Sequence, residues 1–351
     1  MEEKNGCITQ ILGKQSISFA YPVYVQGCAA IVGKKEGEGP LGRHFDEVEE
    51  DDKFGQKTWE EAESVMQRKT ASMAVGKAGL QMDDIRMIFA GDLLAQSIAS
   101  SFGIGGLDCP LYGLFGACST MGESLALASM AVAGGYGEYV LAVTSSHFAT
   151  AEKEFRFPLG YGNQRPLSAS WTVTASGACV VGNKKGKVKI TGVTTGKVTD
   201  YGLKDSQNMG ACMAPAACNT IVQHLKDFGR KPEDYDKIIT GDLGYVGQQI
   251  LLDLLEKEGY PSAKVHGDCG ILIYDRETQD THSGGSGCGC SAAVLASYII
   301  PKVACGDWKR VLFVPTGALM SKVSFYEGNS VPGIAQAVIL ENAESGNNRD
   351  R

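Results

Sequence analysis

The sequence predicts an α/β protein assembled from two similar halves. Short apolar runs with strand character alternate with longer Ala/Leu/Met-rich stretches of helical character, the pattern of sheets covered by helices. A duplication is also visible. Gly79-Leu80-Gln81-Met82-Asp83-Asp84, Ile88 and Gly91-Asp92-Leu93 recur as Gly229-Arg230-Lys231-Pro232-Glu233-Asp234, Ile238 and Gly241-Asp242-Leu243, 150 positions further on. The order downstream is shared as well: Ser124–Met130, a Gly-rich bend and Tyr139–Thr144 correspond to Ser291–Tyr298, a bend with Gly306 and Arg310–Thr316. Units of this length are too long for a solenoid. Residues 18–182 and 187–341 therefore read as two halves related by a pseudo-twofold. Ligands in such folds sit where the halves meet, at strand ends.

The elements follow in order. Residues 1–17 read as a loose polar end, and Ser18–Val32 alternates as a strand that stops at Gly33. Lys34–Lys57 reads as loop around Gly37, Gly39, Pro40 and Gly42, with the acidic run Glu47–Asp52 as a solvated face. Thr58 and Glu61 form a capping box for a helix from Trp59 to about Lys77, which Gly79 ends. Ile85–Ala90 is a buried strand that opens into the Gly91-Asp92 turn, and Ile98–Phe102 fits either class. Leu111–Phe115 reads as a strand and Gly116-Ala117 as a sharp turn; a helix begins directly after Cys118, with Ser119 or Thr120 as its cap and Glu123 in its first turn. Glu138–Thr144 is the next strand and runs into Ser145-Ser146-His147. Phe148–Trp171 reads as a long loop carrying Arg156, Pro158, Tyr161, Arg165 and Pro166, and Thr172–Val181 closes the first half. In the second half, Asp268 precedes a strand read as Ile271–Tyr274.

The strand–turn–helix around Cys118 is the chemical centre of this reading. A cysteine at a helix start faces unpaired N–H groups and the positive end of the helix dipole, and both favour thiolate over thiol. The same N–H groups can hold an oxyanion or a carboxylate. Asp92 and Asp242 occupy matching turns of the two copies, which points to a structural role for both.

Two α/β halves with a cysteine on the strand–turn–helix of the first resemble the thiolase fold of condensing enzymes, a duplicated α-β-α-β-α layering. The motifs resemble most closely the stage V sporulation protein AD family of spore-forming Firmicutes. They are Gly39-Pro40-Leu41-Gly42 with Phe45-Asp46, Ala90–Leu94 with Gln96, Phe115–Thr120, Thr144–His147 with Ala149–Glu152, Ala214–Ala217, Thr240–Leu243, Asp268-Cys269-Gly270 and Gly284–Ala292. The resemblance implies a protein that binds dipicolinic acid (pyridine-2,6-dicarboxylate) and works with membrane subunits of a sporulation transport complex to move it into the developing spore. It also implies that an enzyme of this fold needs two second-half partners for the cysteine, His–His or His–Asn. The position after Ile238–Thr240 that holds a His in ketoacyl-synthase-like members reads Gly241-Asp242-Leu243, and Gly289 stands where their Asn would. His266 and His282 lie off those motif positions. Binding is therefore favoured over catalysis. The alternatives are an acyltransferase with Cys118 as nucleophile and a scaffold subunit that binds no small molecule.

A flat dicarboxylate needs donors at both ends and an apolar slot between them. The expected ligand residues are Cys118, Ser119, His147, Asp268, Gly287 and Gly289, with Arg156 and Arg165 able to reach inward from their loop. No resident cofactor is expected. Calcium enters only with the ligand, as its chelate, and Asp268 is the residue that would meet it. Cys288-Gly289-Cys290 lacks the spacing of a zinc site.

Composition sets the remaining bounds. A formal charge of −7 disfavours nucleic acid and anionic lipid as main partners. There is no export signal and no apolar run near the roughly 20 residues of a membrane span. The eleven cysteines read as reduced thiols of a cytoplasmic-side protein that meets a membrane through its partners. A homodimer is the expectation carried by the fold resemblance.

Overall fold

The computed structural model describes residues 10–155 and 165–345. Arg156, Pro158 and Tyr161 lie outside the described residues.

Ten strands form the spine: β1 (Ser16–Gly33), β2 (Ile88–Gly91), β3 (Leu111–Gly113), β4 (Tyr139–Ser146), β5 (Ala175–Gly182), β6 (Val188–Thr194), β7 (Lys237–Thr240), β8 (His266–Asp268), β9 (Arg310–Val314) and β10 (Ala337–Asn342). Their order in the sheet is β8-β7-β9-β10-β6-β1-β5-β4-β2-β3. Read outward from the central antiparallel β1–β6 pair, the two arms repeat one topology. In each arm two antiparallel neighbours are followed by two parallel ones, β4–β2–β3 and β9–β7–β8.

Strand side chains alternate between layers, as a period of two requires. On β4, Val140 and Ala142 enter a central core while Tyr139, Leu141 and Val143 face an outer one. On β9, Val311 and Phe313 enter the central core while Leu312 and Val314 face the other outer core. Helix α1 (Trp59–Lys77) covers the first arm with Ala71, Ala74 and Val75. Helix α2 (Ile98–Gly105) packs beside α1, so the ambiguous stretch is helical. Between the arms lie α3 (Thr120–Ala133), through Met121, Leu125 and Ala128, and the helix from Cys288, through Cys290 and Ala292–Ala296. Helix α4 (Phe148–Phe155) follows β4, and α5 (Met209–Phe228) covers the second arm with Met213, Ala217, Ile221 and Leu225. The result is helix, sheet, helix, sheet, helix: the thiolase layering.

The capping box holds as read. Glu61 N–H donates to Thr58 Oγ1 at 3.2 Å and Thr58 N–H donates to Glu61 Oε2 at 3.2 Å. Four assignments differ. Gln10–Leu12 pairs with β1, which already begins at Ser16, so this part of the expected loose end is sheet. The expected loop 34–57 holds a helical turn, Lys34–Gly37, and a short strand, Glu47–Glu49, laid along β1. Helix α4 occupies the start of the expected loop 148–171. After Asp268 comes a short helix, Cys269–Ile273, rather than a strand. Each is a short segment whose class is set by what it packs against, not by its own periodicity.

Candidate functional site

The Cys118 turn is built by its own neighbours. Ala117 has φ +50°, a left-handed conformation uncommon outside glycine. Ser119 Oγ donates to Gly116 O at 2.7 Å and Thr120 Oγ1 to Ala117 O at 2.6 Å, while Gly116 N–H donates to Thr120 Oγ1 at 3.0 Å. Ser119 N–H and Thr120 N–H also bond back to Gly116 O and Ala117 O. These groups lock the elbow. They do not cap α3 through a side chain, and the Ser119 hydroxyl braces the turn.

Cys118 itself, 7% exposed, lines a narrow pocket with Leu93, Ala151, Glu152, Phe155 and Met320. Thr172, Met209, Ser286 and Ala318 also line it, so both halves contribute. Helix α4 and the turn after β2 meet second-half residues here, at strand ends as the duplication suggested.

The thiol is not poised as a thiolate. Burial, and then the Asp242 carboxyl beside it, push it well above the usual thiol range, against a smaller pull from the Gly287 N–H. Asp242 is also pushed up, to about 7, chiefly by burial. Its Oδ1 accepts from Thr316 Oγ1 at 2.9 Å and its Oδ2 accepts from Gly287 N–H at 2.9 Å, with Cys118 beside it. Burial outweighs the helix-start effect: the N–H groups of Ser119 and Thr120 are spent on the turn, and the Gly287 N–H gives only a smaller pull. Asp242 is the residue missed by sequence reasoning. Its match to Asp92 suggested a shared structural role. Asp92 does close its own turn, accepting from Leu94 N–H (2.8 Å), Ser100 N–H (2.7 Å) and Ser100 Oγ (2.6 Å). Asp242 instead bridges to the thiol and to Gly287. The available signal was its position just past β7, where the fold's enzymes carry a base.

The other expected ligand residues go elsewhere. His147 Nε2 donates to Asp52 O at 2.7 Å while Nδ1 accepts from Ala149 N–H at 3.1 Å; burial lowers its pKa, so it is a neutral histidine that pins a loop. Asp268 caps helix Cys269–Ile273. Its Oδ2 accepts from Thr240 Oγ1 (2.6 Å) and Leu243 N–H (2.9 Å), and its Oδ1 from Gly244 N–H (3.1 Å) and Ile271 N–H (3.2 Å). Four internal donors engage both Asp268 oxygens. Gly289 is a close approach of backbones: an added Cβ would lie 2.2 Å from Ala175 O, and its N–H donates to Ser146 Oγ at 3.2 Å. Gly287, at φ +105°, does stand at the site, but its N–H serves Asp242 and the thiol. Arg165 reaches Asp280 and not the Cys118 pocket.

Cys288 Sγ donates to Ser145 O at 2.9 Å, and Cys290 Sγ lies 3.8 Å from Gly241 O, so neither is set for a metal. No group of three or more metal-ligating side chains occurs among the described residues. All cysteines among the described residues are free thiols. His266 is buried between Thr240 and Gln248, and His282 faces Pro166 O and Asp280.

Comparison with known proteins places this geometry. A profile of the stage V sporulation protein AD (SpoVAD) family matches residues 13–341. Stage V sporulation protein AD of Bacillus subtilis (strain 168) is 44% identical over 334 residues, 95% of this chain and 98% of that protein. Among solved structures, 3-oxoacyl-[acyl-carrier-protein] synthase III from Aquifex aeolicus VF5 superposes with a TM-score of 0.56 at 14% identity, covering 91% of this chain and 99% of its own. The tetronic acid condensing enzyme AbyA1 gives 0.57 at 16%, covering 91% and 99%. Cerulenin-bound OleA of Xanthomonas campestris gives 0.57 at 15%, covering 92% and 97%. At these identities the structural likeness speaks for the fold alone.

Proposed function

Because this chain belongs to the stage V sporulation protein AD family, we propose that it is a sporulation protein that binds dipicolinic acid in the Cys118 pocket and supports its uptake into the developing spore without catalysing acyl transfer. The observation that carries the reading is the Cys118–Asp242 contact. A condensing enzyme needs a nucleophilic thiolate and a neighbouring base. Here burial, and then the adjacent Asp242 carboxylate, raise the thiol above its usual range and so disfavour the thiolate. What remains of the cleft is a shaped pocket. Leu93, Ala151, Phe155 and Met320 provide an apolar slot for a flat ring, and Thr172, Ser286 and Cys118 provide polar rims. Glu152 on the wall favours a ligand whose charge is offset by a proton or by calcium. No helix among the described residues is long and apolar enough to cross a membrane; in this reading the crossing is left to membrane subunits of the same complex.

Calorimetric titration with dipicolinate, with and without calcium, tests the reading on the full chain and on Cys118→Ala and Leu93→Trp. Saturable binding that Leu93→Trp abolishes and Cys118→Ala weakens is the expected result. Absence of binding under both conditions overturns it in favour of the scaffold role, and acyl-CoA labelling of Cys118 overturns it in favour of an acyltransferase.

A further inference from the structure

A second polar cluster lies apart from Cys118, on the segment 279–283. Arg165 Nη2 donates to Asp280 O and to Asp280 Oδ2, both at 2.9 Å. The guanidinium sits 4.8 Å from the centre of the Trp171 ring, and Lys35 Nζ lies 4.5 Å from the centre of the same ring while donating to Gln279 O at 2.6 Å. Phe148 stacks on Trp171 at 4.1 Å, which fixes the indole as a platform. Two cations therefore share one aromatic ring. The carboxylate paired with Arg165, Asp280, is 77% exposed and is shared with His282. The other acid nearby, Glu36, is buried and bonded to Tyr274.

The arrangement leaves donors unspent. Among the described residues, Arg165 Nη1 is buried with no acceptor, although the side chain is only 12% exposed. Thr281 Oγ1, in the residue that follows Asp280, is likewise buried without a partner, in a side chain 1% exposed. An unsatisfied buried donor on a charged group is costly, and two on one clasp are unusual. An oxygen acceptor brought to either group would satisfy it and would offset the positive charge of Arg165 and Lys35.

We propose that Arg165, Thr281 and Lys35 form an oxyanion-binding site on the Trp171 platform, taking a carboxylate or phosphate group of a small molecule. The site does not require the reading of the Cys118 pocket: Trp171 and Thr172 are consecutive on one short strand, and Thr172 lines that pocket whereas Trp171 carries the cations.

The test is titration of the full chain with two separate probes, inorganic phosphate and dipicolinate, monitored by calorimetry. The variants are Arg165→Gln and Thr281→Val. Saturable binding of either probe that Arg165→Gln weakens about tenfold or more and that Thr281→Val weakens several-fold is the expected result. The probe that binds tells whether a free phosphate or a ligand carboxylate occupies the site. Thr281→Val keeps side-chain shape and every ion pair, so a fold defect in Arg165→Gln does not decide the outcome. The proposal is overturned if neither probe binds, or if binding ignores both Arg165→Gln and Thr281→Val.

Discussion

Replacing Asp242 by Asn isolates the contact on which the non-catalytic reading rests. In the folded chain Asp242 titrates near 7, against 3.8 when free. A carboxyl raised in this way holds its proton more tightly folded than unfolded. Its contribution to stability is complete below about pH 4 and is lost as pH rises toward 7. At about 1.4 kcal/mol per pH unit, that loss amounts to roughly 4 kcal/mol across the interval. The asparagine side chain has no such proton to lose. It would instead cost something at every pH, because the amide cannot accept from both Thr316 Oγ1 and Gly287 N–H, whose bonds to Asp242 are each 2.9 Å. One buried donor left unpaired costs about 1–3 kcal/mol. Asp242→Asn is therefore less stable than wild type by that amount near pH 4. The difference closes and reverses by about pH 8, where the wild type carries a buried charge. Urea unfolding of both proteins at intervals from about pH 4 to 8 measures it directly. A stability difference that stays constant over that range would refute both the raised carboxyl and the protonated Cys118–Asp242 pair.

Thiol labelling checks the same site independently. Near neutral pH, iodoacetamide should modify the exposed Cys305 at least about tenfold faster than the buried Cys118, read by mass spectrometry of each peptide; comparable rates would restore Cys118 as an activated nucleophile. The packing of the helix start at Gly289 makes a separate claim. Gly289→Ala would place a methyl 2.2 Å from the backbone oxygen of Ala175 and 2.6 Å from Ser146 Oγ, and is expected to lower stability by about 1–3 kcal/mol, seen as a drop of several degrees in melting temperature; an unchanged melting temperature would show that the two backbones are not locked together.

The sequence by itself determined the elements whose causes are local or repeated. Thr58 and Glu61 cap α1 through contacts three residues apart, so they were legible before any tertiary contact. Buried strands such as β4 and β9 declared themselves by unbroken apolar runs, and the recurrence of the Gly-Asp-Leu turns announced the mirrored arms of the sheet. The elbow at Cys118 and its place in the pocket were legible for the same reason. Only the tertiary structure decided what surrounds that cysteine. Asp242 is 124 residues away in the chain, and its identity as the thiol's partner depends on where β7 ends relative to α3. Asp268, His147 and Ser119 are the residue types that hold ligands, and the chain spends each of them on its own backbone. Hydrogen-bonding capacity is written in the sequence. Whether that capacity is left over for a ligand depends on which buried N–H and C=O groups the fold brings within about 3 Å, and no local pattern records that.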